Sequence, residues 1–283
     1  MAKLPVLSPE QAIAVVLRNQ SLSDPLTRPT SVVRRLFAFH YHAEAPLAIL
    51  ARCPGVTVSW FRRVFGKKQS LVKVKNVKNT VQLMAKTDRN LMHLVNSSYK
   101  FTENYGLLCL FEDTVNRLFL RYLGGFGPAR IADFSTWSGL SMARCSEYIH
   151  TQNSRFTRVQ ISGSDDTYFV LKKHRGAILD PPKLPDMNIL PKHDPLFAGY
   201  KNKTRLVQPS FLRRVFKSSH TEATILHRGT AIATWNHKRT RPDIKFNVRA
   251  FSELSESQIS NIEERLQAVS CYLEAGASTV NFT

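Results

Sequence analysis

Two histidines flank a tyrosine at positions 40–42, inside the run SVVRRLFAFHYHAEAP from Ser31 to Pro46. Imidazole exchanges a proton near neutral pH more readily than any other side chain. His40 and His42 are therefore candidates for holding a water and taking its proton. Val33, Leu36 and Phe37 recur at the spacing of one helical face, with Arg34 and Arg35 turned away. The spacing predicts a helix that presents the pair at its C-terminal end. His40 falls on that apolar stripe, so a histidine packed in the core is the plain alternative. A metal site fits poorly, because a two-residue spacing at a helix end places the rings badly and only Glu44 lies nearby as a further ligand. Tyr41 is placed either to stack on a base or sugar or to pack. His193-Asp194, just before Pro195, are secondary candidates for orienting a substrate or water, although Asp-Pro is first a turn signal.

The elements that position these residues can be read in order. Ser8 to Gln20 is a helix opened by Ser8, Pro9 and Gln11 as a capping box. Asp24, Pro25 and Pro29 break the chain, and Thr30 or Ser31 caps the next helix. Pro46 opens a short helix that ends at Cys53-Pro54-Gly55, and another spans Ser59 to Phe65. Leu71 to Met84 alternates as a hairpin turning near Lys78-Asn79, where Thr80 follows as a structural residue. Helices followed by a hairpin are the order of a winged helix-turn-helix. Asn96 to Gly106 has no apolar periodicity and reads as connective. The pattern restarts at Phe111 with a helix to Gly124-Gly125. A helix with Ile131, Ala132 and Phe134 follows, packed by Trp137, with a turn at Gly139 and a helix capped by Ser141. Phe156 to Lys172 is a second hairpin. Beyond a proline-rich linker at 180–185, Thr224 to Leu226, Ala231 to Trp235 and Ile244 to Val248 read as strands. Ser257 to Glu274 is a closing helix with Ile259, Ile262, Leu266 and Val269 on one side. The fold class is thus α+β: tandem winged helix-turn-helix modules over 1–95 and 111–178, joined by 96–110. A small antiparallel sheet or barrel with a C-terminal helix completes the chain over 179–283.

Charge narrows the partner. Forty Lys and Arg against twenty-one Asp and Glu give +19 over 283 residues, which favours a polyanion and duplex DNA first. Arg62, Arg63, Lys67, Lys68, Lys73, Lys75 and Lys78 form a run without an acid around the first hairpin. Residues 201–249 carry a second excess, including Lys201, Lys203, Arg213, Arg214, Lys238, Arg239 and Arg241 against Glu222 and Asp243 alone. These residues and Tyr41 are the candidate DNA contacts. No segment has the apolar length to span a bilayer. The N-terminal residues lack a secretory pattern, and Cys53, Cys109, Cys145 and Cys271 are too scattered for a metal site. The expectation is a monomeric, intracellular protein with reduced thiols, cytoplasmic and nucleoid-associated, needing no cofactor or metal.

Three segments together resemble one family. They are LSPEQAIAVVLRNQ…SVVRRLFAFHYHAEAP, YLGGFGPARIADFSTWSGL, and ILPKHDPLFAGYKNKTRLVQPSFLRRVF…TILHRGTAIATWNHKR with the closing helix. They resemble, in family order, the AlkZ/YcaQ-like winged-helix DNA glycosylases. The resemblance implies tandem winged helices and a barrel-like domain surrounding duplex DNA. It also implies hydrolysis of the N-glycosidic bond of bulky alkylated purines, including crosslinked ones. The family's catalytic Gln-x-Gln or Gln-x-Asp, at the end of the second helix, is replaced here by His40 and His42. The stretch between Val95 and Phe111 is too short for the middle of the family's three winged helices. No lysine sits at the pair to form a Schiff base, which points to a monofunctional enzyme. The rival is a non-catalytic winged-helix protein that regulates or binds damaged DNA.

Overall fold

The computed structural model describes residues 4–65, 70–75, 80–92, 105–149 and 154–283. A two-residue strand, β1 (Val6–Leu7), leads into helix α1 (Pro9–Asn19). Ser8 Oγ accepts the Gln11 N–H at 3.1 Å and Gln11 Oε1 accepts the Ser8 N–H at 2.8 Å, the reciprocal cap expected from the sequence. Helix α2 (Pro29–Leu36) buries Val32, Val33 and Leu36. Arg28, not Thr30 or Ser31, occupies its N-cap, because Pro29 with its fixed φ and missing N–H suits the first helical position.

This helix stops before the histidines. At Phe37 the backbone turns to φ +66 and ψ −58, close to the dihedrals of a γ-turn. The chain leaves as strand β2 (Ala38–His40). The pair is therefore at a strand end, which corrects the helical reading. Burial supplies the reason: the Phe37 side chain is fully enclosed, its ring 6.0 Å from that of Trp137 and beneath the Arg121 guanidinium. That packing holds a backbone angle disfavoured for any residue but glycine.

Helices α3 (Ala45–Leu50) and α4 (Val58–Phe65) follow, then the hairpin β3 (Leu71–Lys75) and β4 (Val81–Ala85). Strand β2 pairs antiparallel with β4, giving the order β2-β4-β3 and setting His40 opposite Gln82. The turn expected near Lys78-Asn79 lies outside the described residues, as does most of the connective stretch after Val95.

Helix α5 (Tyr105–Phe126) begins six residues earlier than the apolar pattern suggests. Next come α6 (Ile131–Ser138), closed by Gly139 at φ +82, and α7 (Met142–Ile149). The second hairpin, β5 (Phe156–Ile161) with β6 (Tyr168–Leu171), is joined by β1, parallel to β5. Each hairpin runs into one turn of 3₁₀ helix, at Lys86–Asp88 and Lys172–His174, and α8 (Arg175–Leu179) follows the second.

The last part comprises β7 (Met187–Leu190), α9 (Pro195–Ala198), α10 (Leu212–Val215), β8 (Ala223–His227), β9 (Thr230–Thr240), β10 (Asp243–Ala250), α11 (Glu256–Tyr272) and β11 (Ser278–Phe282). These strands form one sheet in the order β11-β10-β9-β8-β7. Three ladders are antiparallel and β10–β11 is parallel. The sheet is therefore mixed, with two strands beyond the three visible in the alternation. Ile262, Leu266 and Val269 of α11 pack on its Phe246 and Val248 face, as the helical stripe requires.

One apolar core runs through all three parts. Phe119, Tyr122 and Phe126 of α5 meet Ile13 and Val16 of α1, Phe134 of α6, and Leu190 and Phe197 of the last part. Helix α5 also lies close on α2: a Cβ at Gly125 would stand 2.8 Å from the Arg35 carbonyl, so only glycine fits there.

Candidate active site

Strand β2, the turn after it and the loop after β7 bring three imidazoles together. The His40 and His42 rings stack at 5.6 Å between centroids, and His193 stands 5.1 Å from each. His193 is delivered by a residue-specific bend, φ +55, with its backbone N–H on the Thr221 carbonyl at 3.1 Å. His40 and His193 line a cleft of about 240 Å³ with Gln82 and Thr80, against apolar walls that include Phe39 and Trp137. His42 stays behind them, its Nδ1 accepting the Glu44 backbone N–H at 3.2 Å. Sequence spacing pairs His40 with His42; the fold pairs His40 with His193 at the cleft.

All three rings are held neutral at pH 7. Burial, with His193 and His40 adding to it and Asp194 opposing, lowers the His42 pKa to about 4. Burial alone lowers that of His40. For His193 burial acts first, then His40 and His220, while Glu44 opposes and Lys192 adds. A neutral imidazole can hold water or accept a proton, which a charged one cannot. Among the described residues no group of three or more His, Cys, Asp or Glu is arranged to hold a metal ion.

Asp194 parts from His193. Its carboxylate takes both Arg52 Nη groups, at 2.7 and 2.8 Å, and accepts the Leu196 N–H at 3.0 Å, with both charged side chains fully buried. Arg52 also donates to Gln20, whose amide reaches the Gly125 carbonyl at 2.7 Å. Asp194 is thus an anchor for the loop that carries His193, and it also lines the cleft beside that ring. Such a network is invisible locally, since Arg52 and Asp194 are 142 positions apart.

The candidate DNA contacts divide. Arg62 and Arg63 on α4, Lys73 and Lys75 on β3, Lys201, Arg213, Arg214, and Lys238, Arg239 and Arg241 near the β9–β10 turn are exposed. Lys67, Lys68 and Lys78 lie outside the described residues. Lys203 is turned inward, its ammonium donating to the Phe197 and Tyr200 carbonyls. Tyr41 is half-buried against a second apolar cluster that includes Val33, Leu36, Phe39 and Phe61, with the Lys73 ammonium 4.0 Å over its ring.

A basic groove along α5 escaped the sequence reading. Arg18, Arg34, Arg35, Lys173 and His174 line a hollow of about 400 Å³. It continues past Arg121 into one of about 760 Å³ with Arg117, Arg155 and Lys172. Asp24 and Asp88 oppose them, and Asp88 is already held by Arg121 at 2.6 Å. Among the described residues no carboxylate lies within 4.0 Å of Arg18, Arg34, Arg35, Lys172 or Lys173. The signal was missed because these cations come from five separate segments and form no run.

No helix among the described residues is long and apolar enough to cross a membrane. No curated protein matches the chain. The fold is similar to that of Streptomyces sahachiroi DNA glycosylase AlkZ, with a TM-score of 0.78 at 15% identity, over 98% of this chain and 99% of that one. Residues 95–271, more than half of the chain, match the family model described as DNA glycosylase AlkZ-like, and the chain belongs to that family.

Proposed function

We propose that the chain is a monofunctional DNA-repair glycosylase hydrolysing the N-glycosidic bond of bulky alkylated purines, crosslinked ones included, in duplex DNA. The two helix-and-hairpin units over 1–95 and 111–178 act as winged helices, and 179–283 closes the clamp around the duplex as a monomer. The observation that carries the reading is the cleft itself. Neutral His40 and His193 face apolar walls of Phe39, Met92, Leu118 and Trp137, the surroundings suited to an extruded base beside a held water. An N-alkylated purine departs as a neutral molecule, so no acid is needed on the leaving group. The protein's task is to position and deprotonate water while keeping cations away from the sugar. Uncharged imidazoles meet both needs.

The charged surfaces serve the backbone. Arg62, Arg63, Lys73 and Lys75 on the first unit and the Arg18–Arg35–Lys173 groove supply contacts to phosphates, which fix register without reading sequence. Lys192 beside His193 has its ammonium 3.7 Å from Glu222, an arrangement suited to hydrolysis and not to Schiff-base chemistry.

The test is single-turnover release of a defined alkylated purine from duplex. His40→Ala should slow release by a factor of about a hundred or more, the scale for losing an acid–base group, with binding to undamaged duplex unchanged. Wild type that binds duplex and releases no purine from pH 5 to 8 would establish the non-catalytic alternative.

A further inference from the structure

We infer that His193, rather than either member of the His40-x-His42 pair, is the general base that takes the proton of the hydrolytic water. This rests on the glycosylase reading and assigns its roles.

The argument turns on where each neutral ring keeps its proton. A backbone N–H can only donate, so the Glu44 N–H at 3.2 Å occupies the lone pair of His42 Nδ1. The neutral His42 ring then carries its proton on Nε2 and has no free lone pair with which to accept another. It also does not line the cleft. His40 reaches the same state by a different route. Its Nδ1 is buried without any hydrogen-bond partner. Orphaned buried N–H groups are rarer and costlier than under-used acceptors, so the proton sits on Nε2 and Nδ1 keeps its idle lone pair. His40 presents an N–H donor.

His193 is constrained at its backbone and free at its ring. Among the described residues neither ring nitrogen has a hydrogen-bond partner or is buried without one. The ring can therefore offer a lone pair into the cleft. Its position is fixed from both sides: the backbone N–H is on the Thr221 carbonyl, and Asp194 next to it is locked by Arg52. The groups facing it are His40 and His42 from the β2 segment, Glu44 beyond them, Lys192 beside it, and His220 at 6.2 Å, itself bonded to Glu222 at 2.9 Å. Partial burial first, then the neighbouring imidazoles and the Lys192 ammonium, disfavour the charged ring, with Glu44 opposing.

The step balances. A water accepts the His40 Nε2–H on one lone pair and donates one hydrogen to His193. Its other lone pair forms the O–C1′ bond while the C1′–N bond breaks. The bonding electrons leave with the alkylated purine, which becomes neutral, and the water's proton passes to His193 and then to solvent. His42 acts as a positioning residue that stacks on His40 and edges His193.

The experiment is single-turnover excision from pH 5 to 8 by wild type, His193→Asn, His193→Gln, His40→Gln and His42→Gln. Asparagine tolerates the left-handed backbone at this position, which protects the test from misfolding. Both His193 variants should lose a factor of about a hundred or more and lose the acid limb of the profile. His40→Gln and His42→Gln should keep that limb with smaller losses. A His193→Asn protein with the wild-type limb, or a limb that disappears in His40→Gln instead, overturns the assignment. Two-bond proton–nitrogen spectra of the wild type give a readout independent of activity. They should show His42 and His40 protonated on Nε2, and a Nδ1-protonated His40 overturns the proposal even if excision proceeds. Absence of excision by wild type overturns the glycosylase reading and is recognised separately.

Discussion

The two helix-and-hairpin units share an order of elements and differ in how each sheet gets its third strand. In the second unit that strand is β1, taken from the N-terminus and laid parallel on β5, burying Leu7 among Val15, Val159 and Val170. Its interior is filled by Phe119, Tyr122, Phe134, Phe156 and Phe169, with ring centroids 5.1 to 6.4 Å apart. In the first unit the third strand is β2, only three residues long and entered through the strained turn at Phe37. Its end is left polar, with His40 opposite Gln82 at the mouth of a cleft. Both sheets are packed by apolar side chains, Phe39, Leu71 and Leu83 in the first unit, but there the end of β2 opens on a cleft beside the buried Arg52–Asp194 pair. The difference shows how one order of elements can give a closed scaffold or a candidate site: polar side chains gather at a strand end that the packing leaves open.

The largest expected effect breaks that buried pair. Asp194→Ala leaves the Arg52 guanidinium buried without its partner, which should cost about 3–5 kcal/mol of stability. Excision should fall as well, because the His193 loop loses its anchor. Urea denaturation checks the first part and single-turnover release the second. A loss below about 1 kcal/mol would mean that the first unit stands without the pair.

A smaller effect belongs to the closed unit. Tyr122 Oη donates to the Gly199 carbonyl at 2.7 Å inside the aromatic core. Tyr122→Phe keeps the ring and strands that carbonyl, for a cost of about 1–3 kcal/mol. The excision rate of folded protein should not change, since phenylalanine keeps the ring that packs 5.1 Å from the cleft-wall Trp137 and only the hydroxyl, aimed at Gly199, is lost. A rate effect without a stability effect would erase the division between scaffold and site.

These contrasts explain what could be read from residues alone. The capping box at Ser8, the hairpins and the α11 stripe at Ile262, Leu266 and Val269 are local patterns, and each is present. Strand β2 was not legible because Ala38–His40 continues a helical stripe, and only the partner β4, some forty residues on, makes it a strand. Strand β11 was missed for a related reason: its partner β10 lies across α11, in a parallel ladder. In the site, His40 was visible as half of a motif. The placement of His193 depends on a loop that a distant arginine holds, and neither spacing nor composition records that.

Binding should separate the charged surfaces from the cleft more gently. Undamaged duplex should bind without sequence preference, and with about six phosphates contacted affinity should fall around three decades between about 50 and 200 mM salt. Replacing Arg18, Arg35 and Lys173 together by alanine should flatten the salt slope by up to about three and weaken binding roughly tenfold or more at moderate salt. Purine release at saturating protein should be unaffected. An unchanged slope would show that the groove carries no backbone.

The smallest effect compares one histidine from each unit. Burial, with His193 and His40, holds His42 to about 4; burial, with Lys173, Arg18 and Arg35, does the same for His174. In the unfolded chain both titrate near about 6.5. Between these values the unfolded state binds more protons, so the stability is complete above about 6.5 and is lost as pH falls toward about 4. The causes predict different salt responses. Three fixed cations surround His174, and salt screens them, so its folded-state pKa should rise and its share of the acid loss should shrink. His42 is held chiefly by burial and by neighbours that are neutral above their own lowered pKa values, so salt should matter little. Urea unfolding from pH 4 to 7, at low and high salt, separates the two through His42→Gln and His174→Gln. Glutamine at 42 can still accept the Glu44 N–H and cannot be protonated. The acid loss should therefore shrink in His42→Gln about equally at both salt concentrations, and in His174→Gln at both but more at low salt, since burial leads there and the cations add to it. A salt response in His174→Gln no larger than that in His42→Gln would mean that burial holds both rings and that the cations around His174 add nothing.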